Sequence, residues 1–413
     1  MVTLDEHLFR RESGRMVAAL VRIFGVHNLA LAEDVVQDAF CRALEVWKAR
    51  GVPENPSAWL MTTAKNRALD VLRRERTARS FAPEMGRLLE TEWTTTSVLD
   101  EAFADHTIRD EQLRMMFSCA DPRLPEEVQV ALILNILCGF GANEIASAFL
   151  AGRAAVEKRI SRGKKVLATS KRLFDLEDVE FPTRIEVVRR ALYLLFNEGY
   201  HGSSTALAVR EELCSEAIRL TTLLLEYGPA ATPTTTALAA HMYLHVARLP
   251  ARIADGDLQA LIDQDRSRWD PRLTAKGLDL LEQAATGDEV SPYHVEAAIA
   301  ATHASARTVE ETDWSAIVSL YDRLMAVAPS PVVALNRAIA IGQRDGAERG
   351  LEELEKIGDR ERLAGYPFYP AAMGELELRR GNLKAARERF EEALALVRNP
   401  AERRFVEKRL ARL

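Results

Sequence analysis

Apolar residues in this chain recur at intervals of three and four almost from end to end, and strict alternation over five or more residues is scarce. That spacing puts one stripe of each segment on one face of a 3.6-residue helix, which confines the chain to an all-α fold. Pro/Gly clusters punctuate the helical stretches, as at Gly51-Val52-Pro53, at 121–125 and at Gly228-Pro229. No apolar run approaches the ~18–20 residues that span a bilayer, so no membrane role is expected. The first fifteen residues are charged and lack a signal-peptide core, which points to the cytoplasm. Cys41, Cys119, Cys138 and Cys214 stand far apart with no C-x-x-C pair. A zinc ribbon or a dense disulfide scaffold is therefore excluded, and a reducing compartment fits.

The 413 residues divide into a first helical bundle over 1–80, a flexible acidic linker over 81–108, a second small helical unit over 109–172 and a long helical extension over 182–413. Charge is segregated among them. Residues 151–172 hold eight bases against one acid, Glu157, whereas residues 173–413 hold 30 bases against 38 acids. A basic segment on an acidic chain points to local contact with a polyanion. From about residue 294 the extension looks repetitive. Asp313, Gly346 and Leu383 open similar stretches at spacings of 33 and 37, and Ala386 and Phe390 form an A-x3-F pair. A period near 34 is that of tetratricopeptide-like helix pairs, with a generic antiparallel bundle as the alternative.

Three constellations carry functional chemistry. In AEDVVQDAF at 32–40 and the residues after it, Val36, Phe40, Ala43, Leu44 and Trp47 share one helical face. Asp34, Asp38, Cys41 and Glu45 share the opposite one, with Gln37 beside them. On spacing alone this is a solvated acidic face. In WLMTTAKNRALDVLRRER at 59–76, Asn55 and Pro56 supply the helix start, and Leu60, Ala64, Ala68, Val71 and Leu72 the buried stripe. The remaining face is basic, with Trp59 at its start. Cations beside a stacking ring suit single-stranded nucleic acid, and a Lys/Arg-rich surface helix is the equal alternative. The third constellation is LPEEVQVALILNILCGFGANEIASAF at 124–149 followed by RAAVEKRISRGKK at 153–165. A buried helix, a break at Gly139, a short helix and a basic third helix have helix-turn-helix spacing, with a plain helical hairpin as the alternative. Val156, Ile160, Gly163 and Leu167 face inward. Ala154, Lys158, Ser161, Arg162 and Lys165 point outward, with Arg153, Glu157 and Lys164 alongside, a face suited to a major groove.

The order of these three elements resembles the extracytoplasmic-function (ECF) sigma factors of bacterial RNA polymerase, over about residues 5–172. The resemblance implies that Asp34, Gln37 and Asp38, with Glu45 on the same face, bind core polymerase. It implies that Trp59, Lys65, Asn66, Arg67, Arg73 and Arg74 melt and read the −10 element. It places Arg153, Ala154, Glu157, Lys158, Ser161, Arg162, Lys164 and Lys165 at the −35 element. Gly152 departs from the family's usual Ser or Thr cap, and FLAG at 149–152 departs from its usual short turn. A subgroup of these factors carries a large tetratricopeptide-like C-terminal domain in place of a separate anti-sigma factor. LLFNEGY at 194–200 and DQDRSRWD at 263–270 resemble segments of that domain.

The expected partners are core RNA polymerase, promoter DNA, and a protein or ligand of the extension. No cofactor and no catalytic site are expected. No Walker A, G-x-G-x-x-G or G-x-S-x-G sequence occurs. His241 and His245 sit one turn apart without the glutamate of a zincin, so a partner-facing or core helix is the simpler reading. Asp255, Asp257, Asp263, Asp265 and Asp270 lack an EF-hand pattern and read as a solvated loop or docking surface. The alternative function is a free-standing helix-turn-helix regulator with a repeat-type sensor. It leaves the basic helix from Trp59 unexplained, as a protein-binding repeat scaffold leaves the basic helix from Arg153 unexplained.

Overall fold

The computed structural model describes residues 6–78, 104–149, 151–170, 181–202, 208–254, 256–287, 289–397 and 399–413. Among these, all secondary structure is helical apart from one two-stranded hairpin. The chain forms two compact units, Met1–Leu195 and Phe196–Leu413.

The first unit holds α1 (Glu6–Phe24), α2 (Leu29–Arg50), α3 (Pro56–Ala78), α4 (Asp105–Cys119), α5 (Glu126–Ile136), α6 (Ala142–Ala148), α7 (Arg153–Ala168) and most of α8 (Phe181–Tyr200). The acidic linker expected over 81–108 lies outside the described residues up to 103, and α4 begins inside it at Asp105. Helix α1 organises this unit. Residues 16–21 are buried around the whole helix, because α1 packs on α2 and α3 and also on α4. A helix apolar all round belongs inside a core rather than on a surface. Helices α5, α6 and α7 follow as a compact triplet. Gly139, at φ +66°, reverses the chain after α5, a conformation open to glycine at little cost. Helix α8 begins on this unit: the Phe117 and Phe181 rings lie 4.4 Å apart, and Arg184 donates to the Phe117 carbonyl at 3.0 Å.

The second unit continues with α9 (Glu211–Glu226), α10 (Pro233–Val246), α11 (Leu249–Arg252), α12 (Pro271–Ala284), α13 (Pro292–Ser305), α14 (Trp314–Val327), α15 (Pro331–Asp345), α16 (Ala347–Glu355), α17 (Phe368–Arg379), α18 (Leu383–Leu396) and α19 (Pro400–Leu410). Strands β1 (Ile253–Ala254) and β2 (Asp257–Leu258) pair antiparallel, Ile253 opposite Leu258. Helices α10, α12, α13, α15 and α19 each start with Pro after Thr232, Asp270, Ser291, Ser330 or Asn399. A capping side chain followed by a ring already fixed at helical φ marks a helix start locally. From α13 onward the core passes along the chain as successive clusters. Val295, Ile299, Ile317 and Ile341 join α13 to α15; Leu335, Leu354 and Leu376 join α15 to α17; Ala386, Phe390 and Phe405 join α18 to α19. Asp313 caps α14, Gly346 precedes α16 and Leu383 opens α18, so the three repeat marks fall at helix starts.

Candidate functional site

The three constellations all lie in the first unit. On α2, Asp34, Gln37, Asp38, Cys41 and Glu45 are exposed, while Val36, Phe40, Ala43 and Trp47 are buried. Leu44, expected inward, is 51% exposed. The buried arc of α2 swings toward Ala32, Val35 and Ala39, which leaves position 44 about 40° beyond Phe40 at roughly 100° per residue. Asp38 accepts from Arg67 of α3, with Nη2 2.8 Å from Oδ2. One candidate polymerase contact and one candidate −10 contact are therefore paired to each other.

Helix α3 starts as its sequence predicts, with the Ala58 amide donating to Asn55 Oδ1 at 3.0 Å. Leu60, Ala64, Ala68 and Leu72 are buried and Val71 is half-buried. The Trp59 ring is half-buried and packs edge-on to Trp47 at 5.4 Å between centroids. It is thus a wall of the α2–α3 interface with one side left to solvent. Lys65 is half-buried, and Asn66 and Arg73 are exposed. The Arg74 side chain lies outside the described residues.

Helix α7 is the basic third helix of the triplet. Val156, Ile160, Gly163 and Leu167 are buried against the rest of the unit. Gly152 stands at the N-cap in extended conformation and gives no side-chain bond. Arg153, Ala154, Glu157, Lys158, Ser161, Arg162 and Lys165 are exposed. Arg153 and Glu157 pair at 2.7 Å one turn apart. Lys164 departs from this set: half-buried, it pairs with Glu33 of α2 at 2.6 Å. Beside that pair lies an open recess of about 550 Å³, lined by Glu157, Ser161, Lys164 and Lys165 of α7 and by Leu29 and Ala30 of α2.

Two further contacts hold α1 to the triplet. Arg10 is 5% exposed, donates to the Gly139 carbonyl at 3.1 Å and pairs with Glu144 of α6 at 2.8 Å. Gly14 lies directly under the α5 C-terminus, where a Cβ would stand 2.2 Å from the Leu137 carbonyl oxygen. Sequence reasoning missed Arg10, Gly14 and Glu144. Arg10 and Glu144 are 134 residues apart, and no local pattern links them. Glu33 lies inside the AEDVVQDAF motif, but the helical pattern assigns it to neither face.

In the second unit His241 and His245 are neighbours in the interior, with ring centroids 4.2 Å apart. His245 Nδ1 lies 2.9 Å from the His241 carbonyl oxygen, and His241 faces Glu296 at 3.7 Å. Burial, then the charge of Arg248, push His241 down to about 3, so it is neutral at physiological pH. Among the described residues no group of three His, Cys, Asp or Glu is arranged to hold a metal. The aspartates have structural partners. Asp257 holds Arg404 at 2.5 Å and Lys408 at 2.6 Å, Asp263 holds Arg409, Asp265 caps the turn at Ser267 and Asp270 caps α12. Asp255 lies outside the described residues.

Residues 8–78 match the Sigma-70 region 2 family, and residues 184–285 match a family of unknown function (DUF6596). The chain is 39% identical over 399 residues to the uncharacterized protein R00370 of Rhizobium meliloti (strain 1021), covering 96% of this chain and 93% of that one. It is 30% identical over 165 residues to the RNA polymerase sigma factor CarQ of Myxococcus xanthus, covering 39% of this chain and 86% of CarQ. It is 25% identical over 157 residues to the ECF RNA polymerase sigma factor SigX of Bacillus subtilis (strain 168), covering 37% of this chain and 77% of SigX. A region 2 match over the α1–α3 bundle, with likeness to CarQ over 165 residues, makes this chain a member of the ECF sigma factors of RNA polymerase, one with a large helical C-terminal extension.

Proposed function

We propose that this protein binds core RNA polymerase and directs promoter-specific initiation of transcription. The observation that carries the proposal is the presence, on one unit, of an exposed acidic face on α2, the cations Lys65, Arg67 and Arg73 on α3, of which Arg73 is exposed, and an exposed cationic helix after a helix-turn. Asp34, Gln37, Asp38 and Glu45 are the proposed polymerase contacts. Lys65, Asn66, Arg67, Arg73 and Arg74 track the unwound −10 strand, with Trp59 offering its open side to a base. Arg153, Ala154, Lys158 and Arg162 enter the −35 major groove, where bidentate arginine contacts read base edges. Glu157, Ser161, Lys164 and Lys165 flank that face and join it once α7 is clear of α2. Binding of DNA should weaken steeply with salt, because these cations displace condensed counterions.

The extension has two roles consistent with its net charge of −8 over residues 173–413. It masks the cationic helix α7, or it supplies a contact that polymerase needs. Deletion of the extension separates them: a rise in transcription marks masking, and a loss marks a required contact. Because α8 packs on the first unit through Phe181 and Arg184, the cut belongs after Tyr200, not after residue 172 as the sequence alone invites.

The test of the proposal is transcription in vitro with purified core polymerase and a pool of promoter fragments. Start sites that appear only with this protein support it and yield the −35 and −10 sequences. DNA binding with neither polymerase binding nor transcripts overturns it in favour of a free-standing regulator.

A further inference from the structure

Six arginines among the described residues are buried: Arg10, Arg189, Arg210, Arg248, Arg252 and Arg409. Four have a carboxylate: Arg10 has Glu144, Arg189 has Glu186, Arg210 has Glu212 and Arg409 has Asp263. Arg248 and Arg252 break this rule. They stand one turn apart at the start and end of α11, 6% and 8% exposed, and among the described residues no carboxylate lies within ion-pair distance of either. The Arg248 guanidinium sits 5.4 Å from the centroid of the Trp269 ring, and Arg266 sits 5.3 Å from the same ring. Arg252 lies 4.3 Å from the centroid of the Tyr200 ring and 2.9 Å from His201 Nδ1. The Nε–H groups of Arg248 and Arg252 and the Tyr200 hydroxyl are buried with no hydrogen-bond partner.

A buried guanidinium without a counter-ion is among the costliest arrangements a fold can hold, and two adjacent ones repel each other. Glu296, the carboxylate that faces His241, makes no ion pair with Arg248 or Arg252. His241 and His303 are neutral, and rings contribute only quadrupoles. Both sequence segments that set the extension apart converge here, 194–200 through Tyr200 and 263–270 through Arg266 and Trp269. Nothing in the proposed promoter role uses them. A guanidinium fork matches the two oxygens of a carboxylate or phosphate. The low exposure of both arginines admits a small group and not the surface of a macromolecule.

We infer that Arg248 and Arg252 form a binding site in the second unit for the oxyanion group, phosphate or carboxylate, of a small molecule. The ligand supplies the counter-charge that the described residues omit, and Tyr200 Oη, buried without a partner, is available as a further donor. This inference rests on the second unit alone, and its test needs neither polymerase nor promoter.

The full chain is titrated by calorimetry and thermal unfolding with inorganic phosphate, inorganic pyrophosphate and citrate, each against sodium chloride at equal ionic strength. The expected result is saturable binding of at least one probe, with a rise in Tm that follows mass action. The phosphate and citrate arms tell the two oxyanion sources apart. Arg248→Met and Arg252→Met should each weaken binding at least tenfold. Both should fold as well as the parent without ligand, because each removes an uncompensated charge. Arg248→Lys, which keeps charge but loses the fork, should fall between. Saturable binding by none of the three probes overturns the inference, as does affinity unchanged within twofold in both methionine variants. Failure of both methionine variants to fold where the parent is folded also overturns it, since that would reveal a counter-ion within the chain.

Discussion

Gly14 shows how one missing side chain sets a contact. Its Cβ position is filled by the Leu137 carbonyl oxygen, a backbone atom that cannot rotate away. Gly14→Ala should therefore cost about 3 kcal/mol of stability in the first unit, the upper range for overpacking, as read by denaturant unfolding. An alanine variant as stable as the parent would mean that α1 and α5 do not meet this way in solution. Cys41 offers a second residue-scale check. Cys119, Cys138 and Cys214 are buried, and burial raises the thiols of Cys119 and Cys214, whereas Cys41 is exposed among Asp34, Asp38 and Glu45. A thiol-specific reagent should modify Cys41 at least tenfold faster than the others. Core polymerase should slow that reaction if the α2 face is its binding surface, and an unchanged rate would move the contact elsewhere.

At the scale of elements, the face of α7 was legible because periodicity alone assigns Val156, Ile160, Gly163 and Leu167 inward, and packing agrees. The starts of α14, α16 and α18 were legible from the recurrence of Asp313, Gly346 and Leu383. Leu44 was misread because a helical stripe fixes a direction only to within about one position, and neighbouring helices choose the edge of the arc. The Lys164–Glu33 pair and the carboxylate-free arginines at α11 were illegible, because they depend on partners far away in sequence. Each element carries its own prediction. Arg162 is exposed on α7, so Arg162→Ala should lower the slope of log affinity against log salt by about 1 on a −35 duplex. An unchanged slope would remove Arg162 from the phosphate or base contacts. In the second unit, burial first and then Arg248 push His241 and His303 down to about 3, and burial, then neighbouring His241 and Arg248, lower His245. The unfolded chain takes up these protons near 6.5 and the folded one does not. Stability is thus full above that value and falls as pH drops from about 6.5 toward 3. Between pH 7 and pH 5 the loss should be about 2 kcal/mol for each of His241 and His303. Equal denaturant midpoints for the second unit at the two pH values would show that these imidazoles reach water.

For the molecule as a whole, the compactness of the first unit meets the geometry of a promoter. The −35 and −10 elements are ~25 base pairs apart, or ~80 Å at ~3.4 Å per pair. A compact unit of 195 residues has a diameter on the order of 40 Å. With Lys164 held on Glu33 and Arg10 on Glu144, α3 and α7 cannot read both elements of straight DNA together. The proposed function therefore requires α4 and the α5–α7 triplet to leave α1 and α2 when polymerase binds. Fluorescent labels on α2 and α7 should separate by tens of ångströms on addition of core polymerase, and an unchanged distance would show that the unit acts closed. Helix α1 gives that opening a cost of another kind. Residues 16–21 are buried around their full circumference, partly by α4, so a unit opened away from polymerase presents a wet apolar seam. Such a seam invites self-association and proteolysis. The lifetime of the open form off the enzyme, rather than its affinity for DNA, would then govern how much of this protein a cell can keep.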